Sequence, residues 1–185
     1  MPAARAAEIE LIRHRAGVSL GAYSVRVGYA YSERQVLSLS YVLTGPIDRL
    51  RLPEARAAER TDGLWQHTCF EAFVALAGEP AYYEFNFSPS TQWAAYRLAS
   101  YREGMIPALE VAPPGIRVHR EPTSMQLAAT VALGGLATLA GPGPLRLALA
   151  AVVESESGTL SYWALAHPRE QPDFHHPDSF TIVLP

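Results

Sequence analysis

Residues 64–74, Leu64-Trp-Gln-His-Thr-Cys-Phe-Glu-Ala-Phe-Val74, and 82–93, Tyr82-Tyr-Glu-Phe-Asn-Phe-Ser-Pro-Ser-Thr-Gln-Trp93, decide the reading of this chain. Both are strand-like runs in which polar residues alternate with aromatic or aliphatic ones. Successive side chains of a strand point to opposite faces. Tyr83, Phe85 and Phe87 therefore share one face, and Tyr82, Glu84, Asn86 and Ser88 the other. Two carboxylates (Glu71, Glu84), an amide (Asn86), a histidine (His67) and two tryptophans (Trp65, Trp93) crowd this short region. Flat apolar rings beside hydrogen-bonding groups suit a binding face.

Strand signals continue on both sides. Gly21–Tyr31 alternates, with Val25, Val27 and Tyr29 on one side and Ser24, Arg26 and Gly28 on the other. Gln35–Leu43 alternates again, and Ser32-Glu33-Arg34 reads as the turn between them. Ile9–His14, Gln92–Ser100, Ile116–Arg120, Ser124–Leu133, Thr159–Ala166 and Phe180–Leu184 read as further strands. Leu145–Val153 is almost wholly apolar and reads as a central strand buried on both faces. The charged tract 47–60 contains the helix-prone run Glu54–Arg60 and predicts a short helical excursion. Residues 101–116, rich in glycine and proline, predict a loop, and Leu136–Ala140 one helical turn. Roughly ten strands with turns every eight to twelve residues predict an all-β, antiparallel two-sheet sandwich. The 185 residues fit one domain, 1–185.

Composition excludes several functions. Net charge is −3, which gives no basis for nucleic-acid or anionic-membrane partners. All fifteen basic residues are arginine, so Schiff-base, general-base and P-loop lysines are absent. A single cysteine, Cys69, forbids an internal disulfide and a cysteine-based zinc site. The opening residues lack the apolar core of a signal peptide, and turns interrupt the apolar stretch 127–153. The expectation is a soluble, cytoplasmic protein.

Each candidate constellation has a plainer structural alternative. Trp65, His67 and Glu71 offer a ring, a donor and an acceptor at a strand entrance, though a tryptophan there often just closes the core. Glu71, Glu84 and Asn86 approach one another if their strands are neighbours, where opposed Cβ atoms lie about 4.5–5.5 Å apart. The alternative is a solvated face, or one glutamate held by Arg97. His167-Pro168 and Asp173-Phe174-His175-His176-Pro177-Asp178 carry groups that bind divalent metals. Adjacent side chains of an extended segment diverge, however, so His175 and His176 do not read as a pair. No nucleophile elbow or glycine-rich phosphate loop is present.

At these residues the chain resembles DOMON-like domains, the superfamily that includes family-nine carbohydrate-binding modules and cytochrome-type haem domains. The resemblance lies in Leu64-Trp65, Cys69–Val74, Tyr82–Pro89, Trp163-Ala164-Leu165, His167-Pro168 and Asp173–Pro177, across about two-thirds of the chain. It implies a β-sandwich that binds sugar or haem. In a sugar binder, Trp65, Trp93 or Trp163 would stack on the pyranose. Glu71, Glu84, Asn86, Arg97, His67, His167 and His175 would supply hydrogen bonds. The haem branch uses an axial methionine with histidine or lysine. Here only Met105 and Met125 are internal methionines, Met125 lying near His119.

The expectation is a non-catalytic module for a small polar ligand, a carbohydrate first, with no cofactor. The alternatives are a b-type haem domain, or a hydrolase acting through Glu71 and Glu84 or through a metal on His67 and His175. Oligomeric state is left open.

Overall fold

A computed structural model describes residues 7–16 and 23–185; the start of the Gly21–Tyr31 tract lies outside them. Thirteen strands among the described residues form two antiparallel sheets. One sheet has five strands: β1 (Ala7–Glu10), β3 (Ser24–Tyr31), β4 (Val36–Thr44), β10 (Ser124–Ala132) and β9 (Gly115–Glu121), in the order β1-β3-β4-β10-β9. The other follows β2 (Ile12–Arg13), β12 (Leu160–Ala164), β11 (Leu145–Glu154), β5 (Cys69–Leu76), β6 (Tyr82–Phe87), β7 (Trp93–Leu98) and β8 (Ile106–Pro107), and β13 (Ile182–Leu184) pairs with the start of β11. The sandwich expectation holds, with more strands than the turn spacing gave.

Alternation sets which side chains meet. Val25 and Val27 of β3, Leu37, Leu39, Tyr41 and Leu43 of β4, and Met125, Leu127, Ala129 and Val131 of β10 face inward. Phe70, Ala72 and Val74 of β5, Tyr83, Phe85 and Phe87 of β6, and alternate residues of β11 meet them. Each large side chain fully buried there contributes about 1.5–3 kcal/mol. Tyr41 crosses the interface, and its hydroxyl donates to the Glu71 carbonyl at 2.8 Å.

The larger sheet is covered on its second face as well. Cys69, Phe73, Tyr82, Tyr96, Leu98, Ala148, Ala150 and Phe180 are buried in a separate apolar cluster. This explains why β11 reads as apolar on both faces and why β5 and β6, which alternate in sequence, are nonetheless buried on both. The cover comes from the single-turn 3-10 helix Leu64–Gln66 and from the segment 167–180.

Three local expectations need correction. The Ile9–His14 tract is two strands: β1 pairs with β3, buried Leu11 donates to the Val25 carbonyl, and β2 then pairs with β12 in the other sheet. The loop 101–116 contributes the two-residue edge strand β8. The helical excursion shrinks to the 3-10 turn Ile47–Arg49, and residues 51–60 form no helix. Their backbone is used elsewhere: Arg56 N–H donates to the Ser90 carbonyl, Trp93 N–H to that of Glu59, and Thr61 N–H to that of Trp93. Arg60 fastens the strap, donating to the carbonyls of Ala95, Ala108 and Val111 while its guanidinium lies 4.3 Å over the Trp93 ring. Helix propensity loses because the run Glu54–Arg60 has only alanines to bury and tertiary pairing takes its amides.

Candidate functional site

The outer face of β5 and β6 carries the polar groups. Glu71 lies directly opposite Asn86, and Glu84 lies opposite Phe73 on one side and Tyr96 on the other. The two glutamates are thus diagonal neighbours on one sheet. Covered by Leu64–Gln66 and 167–180, they are 3% and 5% exposed. They form part of the floor of a cavity of about 510 Å³. Trp65, Tyr162 and Phe174 supply its aromatic lining, and Arg102, Met105 and His175 border it.

The floor is organised by hydrogen bonds. Asn86 Nδ2 donates to Glu84 Oε1 at 2.8 Å, and the Cys69 thiol lies behind it, 3.9 Å from Asn86 Oδ1. Glu71 Oε1 is buried with no hydrogen-bond partner. Burial, and then the charge of Glu84, push the Glu71 carboxyl well above the usual range. Burial also raises Glu84, against the opposing pull of Asn86 and Arg102. Cys69, wholly enclosed, is pushed up by the same burial.

Segment 167–180 is fixed from both sides. Arg102 donates through Nε and Nη2 to Asp173 Oδ1 at 3.1 and 2.9 Å, and Tyr101 donates to the other carboxylate oxygen. Burial raises the Asp173 carboxyl, but these hydrogen bonds outweigh it and hold it below its ordinary value. Arg146 donates to the Phe180 carbonyl at 2.6 Å through Nη2, and Phe180 packs on Phe73 and Tyr82. His175 stands edge-on to Phe73. The Tyr82 hydroxyl accepts from the Arg102 backbone N–H at 3.3 Å and shares a 2.8 Å hydrogen bond with His175 Nδ1. Nε2 lies 3.7 Å from Glu84 Oε2. Burial lowers the His175 pKa to about 4, so the ring is neutral near pH 7.

Among the residues expected from sequence, Trp65, Glu71, Glu84 and His175 come together, with Asn86 buried behind Glu84. Trp65 stays 38% exposed at the mouth, edge-on to Tyr96. The others lie elsewhere. Trp93 is a core ring beneath Arg60. Trp163 faces the inter-sheet core, its indole N–H donating to Ser161 Oγ. Arg97 pairs with Tyr83 and Ile106 at the β7–β8 edge. His67 Nδ1 meets Glu154 Oε2 at 2.7 Å, beside Arg51. His167 binds the Ile12 carbonyl and packs edge-on against His14. His67 and His175 therefore do not form a metal pair, and among the described residues no group of three His, Cys, Asp or Glu side chains is placed to hold an ion. Met125 is sealed in the core while His119 is exposed on β9, so that pair shares no pocket.

Sequence reasoning did not place Arg102, Met105, Tyr162 or Phe174 at the cleft, naming Met105 only for the haem branch and Phe174 only within the stretch Asp173–Pro177. Arg102 adopts φ 58°, in the left-handed region, at the start of the loop the sequence predicts over 101–116, but loop composition does not say which side chain turns toward the cleft. Tyr162 and Phe174 were legible only as apolar residues, since their place depends on how 160–174 folds across β5. A second cavity, of about 570 Å³, lies beside the first; Tyr82, Tyr101, Phe180 and Arg146 border it, and His175 borders both.

No known protein-family profile and no curated protein sequence matches the chain. Solved structures do. A proposed carbohydrate-binding protein from Bacteroides uniformis ATCC 8492 superposes with TM-score 0.70 at 16% identity, over 96% of this chain and 84% of that one. The two share a fold. A family 9 carbohydrate-binding module from Caldicellulosiruptor kristjanssonii aligns more distantly, at 11% identity, over 85% of this chain. Its complex with cellotriose gives TM-score 0.49 over 72% of that chain, and its complex with glucose 0.47 over 74%.

Proposed function

We propose that the protein is a non-catalytic binding module of DOMON-like type, and that its ligand is a carbohydrate held in the cleft over β5 and β6. The carrying observation is the convergence of half-exposed Trp65 with Glu71, Glu84 and His175 on one concavity. An aromatic ring at the mouth offers an apolar face to a pyranose, and the buried carboxyls beneath offer partners for its polar edge. The carbohydrate-binding role proposed for the Bacteroides uniformis neighbour supports the reading.

Both glutamates rise from one floor. Two-carboxylate hydrolysis sets its groups on opposite sides of the scissile bond, which favours binding over hydrolysis here. Isothermal titration against mono- and oligosaccharides tests the proposal. Binding is expected to be modest and to weaken about tenfold in Trp65→Ala, as loss of one stacking ring implies. If no sugar produces heat, or if Trp65→Ala binds like wild type, the reading fails. A Soret band in the purified protein would replace it with the haem alternative.

A further inference from the structure

We propose that the Glu71–Glu84 floor is a seat for a protonated amine, so that the sugar bound in this cleft carries a free amino group. The inference rests on the binding reading above and narrows its ligand class. Its first support is the charge inventory. Two buried carboxyls face the cleft, and the one arginine among the described residues that borders it, Arg102, is ion-paired to Asp173 and only partly offsets Glu84. His175 is held at Nδ1 by the Tyr82 hydroxyl, and burial keeps its ring neutral near pH 7. Lysine is absent from the whole chain, so none reaches the floor from any segment.

The second support is independent of that inventory. Glu71 is 3% exposed, lines the cavity, and keeps Oε1 without a hydrogen-bond partner. A buried carboxyl with no partner inside the protein, on a side chain that lines the cavity, leaves its hydrogen-bonding capacity to an occupant of that cavity. An ammonium brings three donors on a compact positive charge, enough to reach both carboxyls. The walls agree, since Trp65, Tyr162 and Phe174 line the cavity with aromatic rings, whose π-systems attract cations as well as sugar rings.

Burial and mutual repulsion favour protonated carboxyls in the empty cleft. Seating an ammonium reverses that preference, so a carboxyl proton passes to solvent as the amine binds. The groups facing the pair are Cys69 on β5, Tyr82 and Asn86 on β6, and Tyr96 on β7, whose hydroxyl donates to Asp62. From the covering segments come Arg102, Asp173 and His175. Of these, His175 alone titrates in the mildly acidic range, near 4.

The test is calorimetric titration of the full chain with glucosamine, N-acetylglucosamine and glucose trimers, and with cyclohexylamine, a ring-sized amine without hydroxyls. The glucosamine trimer should bind at least about tenfold more tightly than the other two sugars, the worth of one charge-assisted hydrogen bond. Its affinity should rise with pH above the ordinary carboxyl range, as the floor loses its protons, and fall again once the sugar amine itself deprotonates. Buffers of different ionisation enthalpy should show net proton release. Glu71→Gln and Glu84→Gln, near-isosteric changes checked for folding by circular dichroism, should each remove the preference. If either fails to fold, the amine-to-acetyl comparison on wild type still decides.

Equal or tighter binding of glucose or N-acetylglucosamine overturns the amine seat and leaves the carbohydrate reading standing. Binding of cyclohexylamine with no sugar bound keeps the seat and removes the carbohydrate. Silence from all four overturns both.

Discussion

A single carboxyl, that of Glu71, sets the pH behaviour of the floor. Its protonation is favoured in the folded chain relative to the unfolded one, so the native state holds more protons above the ordinary carboxyl value. By linkage, its contribution favours folding at mildly acidic pH and is lost as pH rises toward its elevated native value. His175 acts in the opposite sense. Its pKa falls to about 4, so its contribution is present above the ordinary imidazole value near 6.5 and is lost as pH falls between the two. Glu71→Gln should therefore be more stable than wild type at about pH 8, by about 1–3 kcal/mol, because the equally buried amide cannot ionise and an unpartnered charge costs more than a neutral group. The gain should shrink near pH 5. Urea midpoints at the two pH values measure it, and an equal gain at both would show that ionisation of Glu71 is not the cause.

Among elements, the strap 51–63 shows how far local pattern carries. Period-two alternation identified β3, β4, β5, β6 and β10, because each buries one whole face against the other sheet and polar substitutions there are confined to the opposite side. The strap has no such face. Its Glu-Ala-Arg-Ala-Ala-Glu-Arg composition favours helix, yet its fate is decided by partners distant in sequence, Ser90, Trp93, Ala95, Ala108 and Val111. Arg60→Leu removes the donors to three carbonyls and the cation above Trp93. It should cost about 2–3 kcal/mol and loosen both the strap and the turn at 108–111. Urea unfolding gives the first quantity, and faster amide exchange at Thr61 and Val111 the second; a loss under about 0.5 kcal/mol would show that the strap is held by its backbone alone.

On the scale of the whole molecule, the site was legible in part because four of its members lie on patterns the sequence exposes. Glu71 and Glu84 interrupt apolar alternation on strands, Trp65 precedes a strand, and His175 lies in a proline-bracketed loop. Their convergence was not legible. It depends on the β5–β6 register, which puts Glu71 opposite Asn86, and on segment 167–180 folding over that face rather than away from it. The same dependence misplaced Trp163. Its strand alternates, so the ring went to the inter-sheet side while Tyr162 went to the cleft.

Cys69 lies beneath Asn86, fully enclosed, and is the chain's one thiol. A maleimide dye added to the native protein has one possible thiol target and meets it only when the covering layer lifts. The labelling rate is thus a built-in clock for breathing of the cleft floor, read without mutation. An occupant of the cleft should slow that clock in proportion to its occupancy, and so report binding by ligands too weak for a calorimeter.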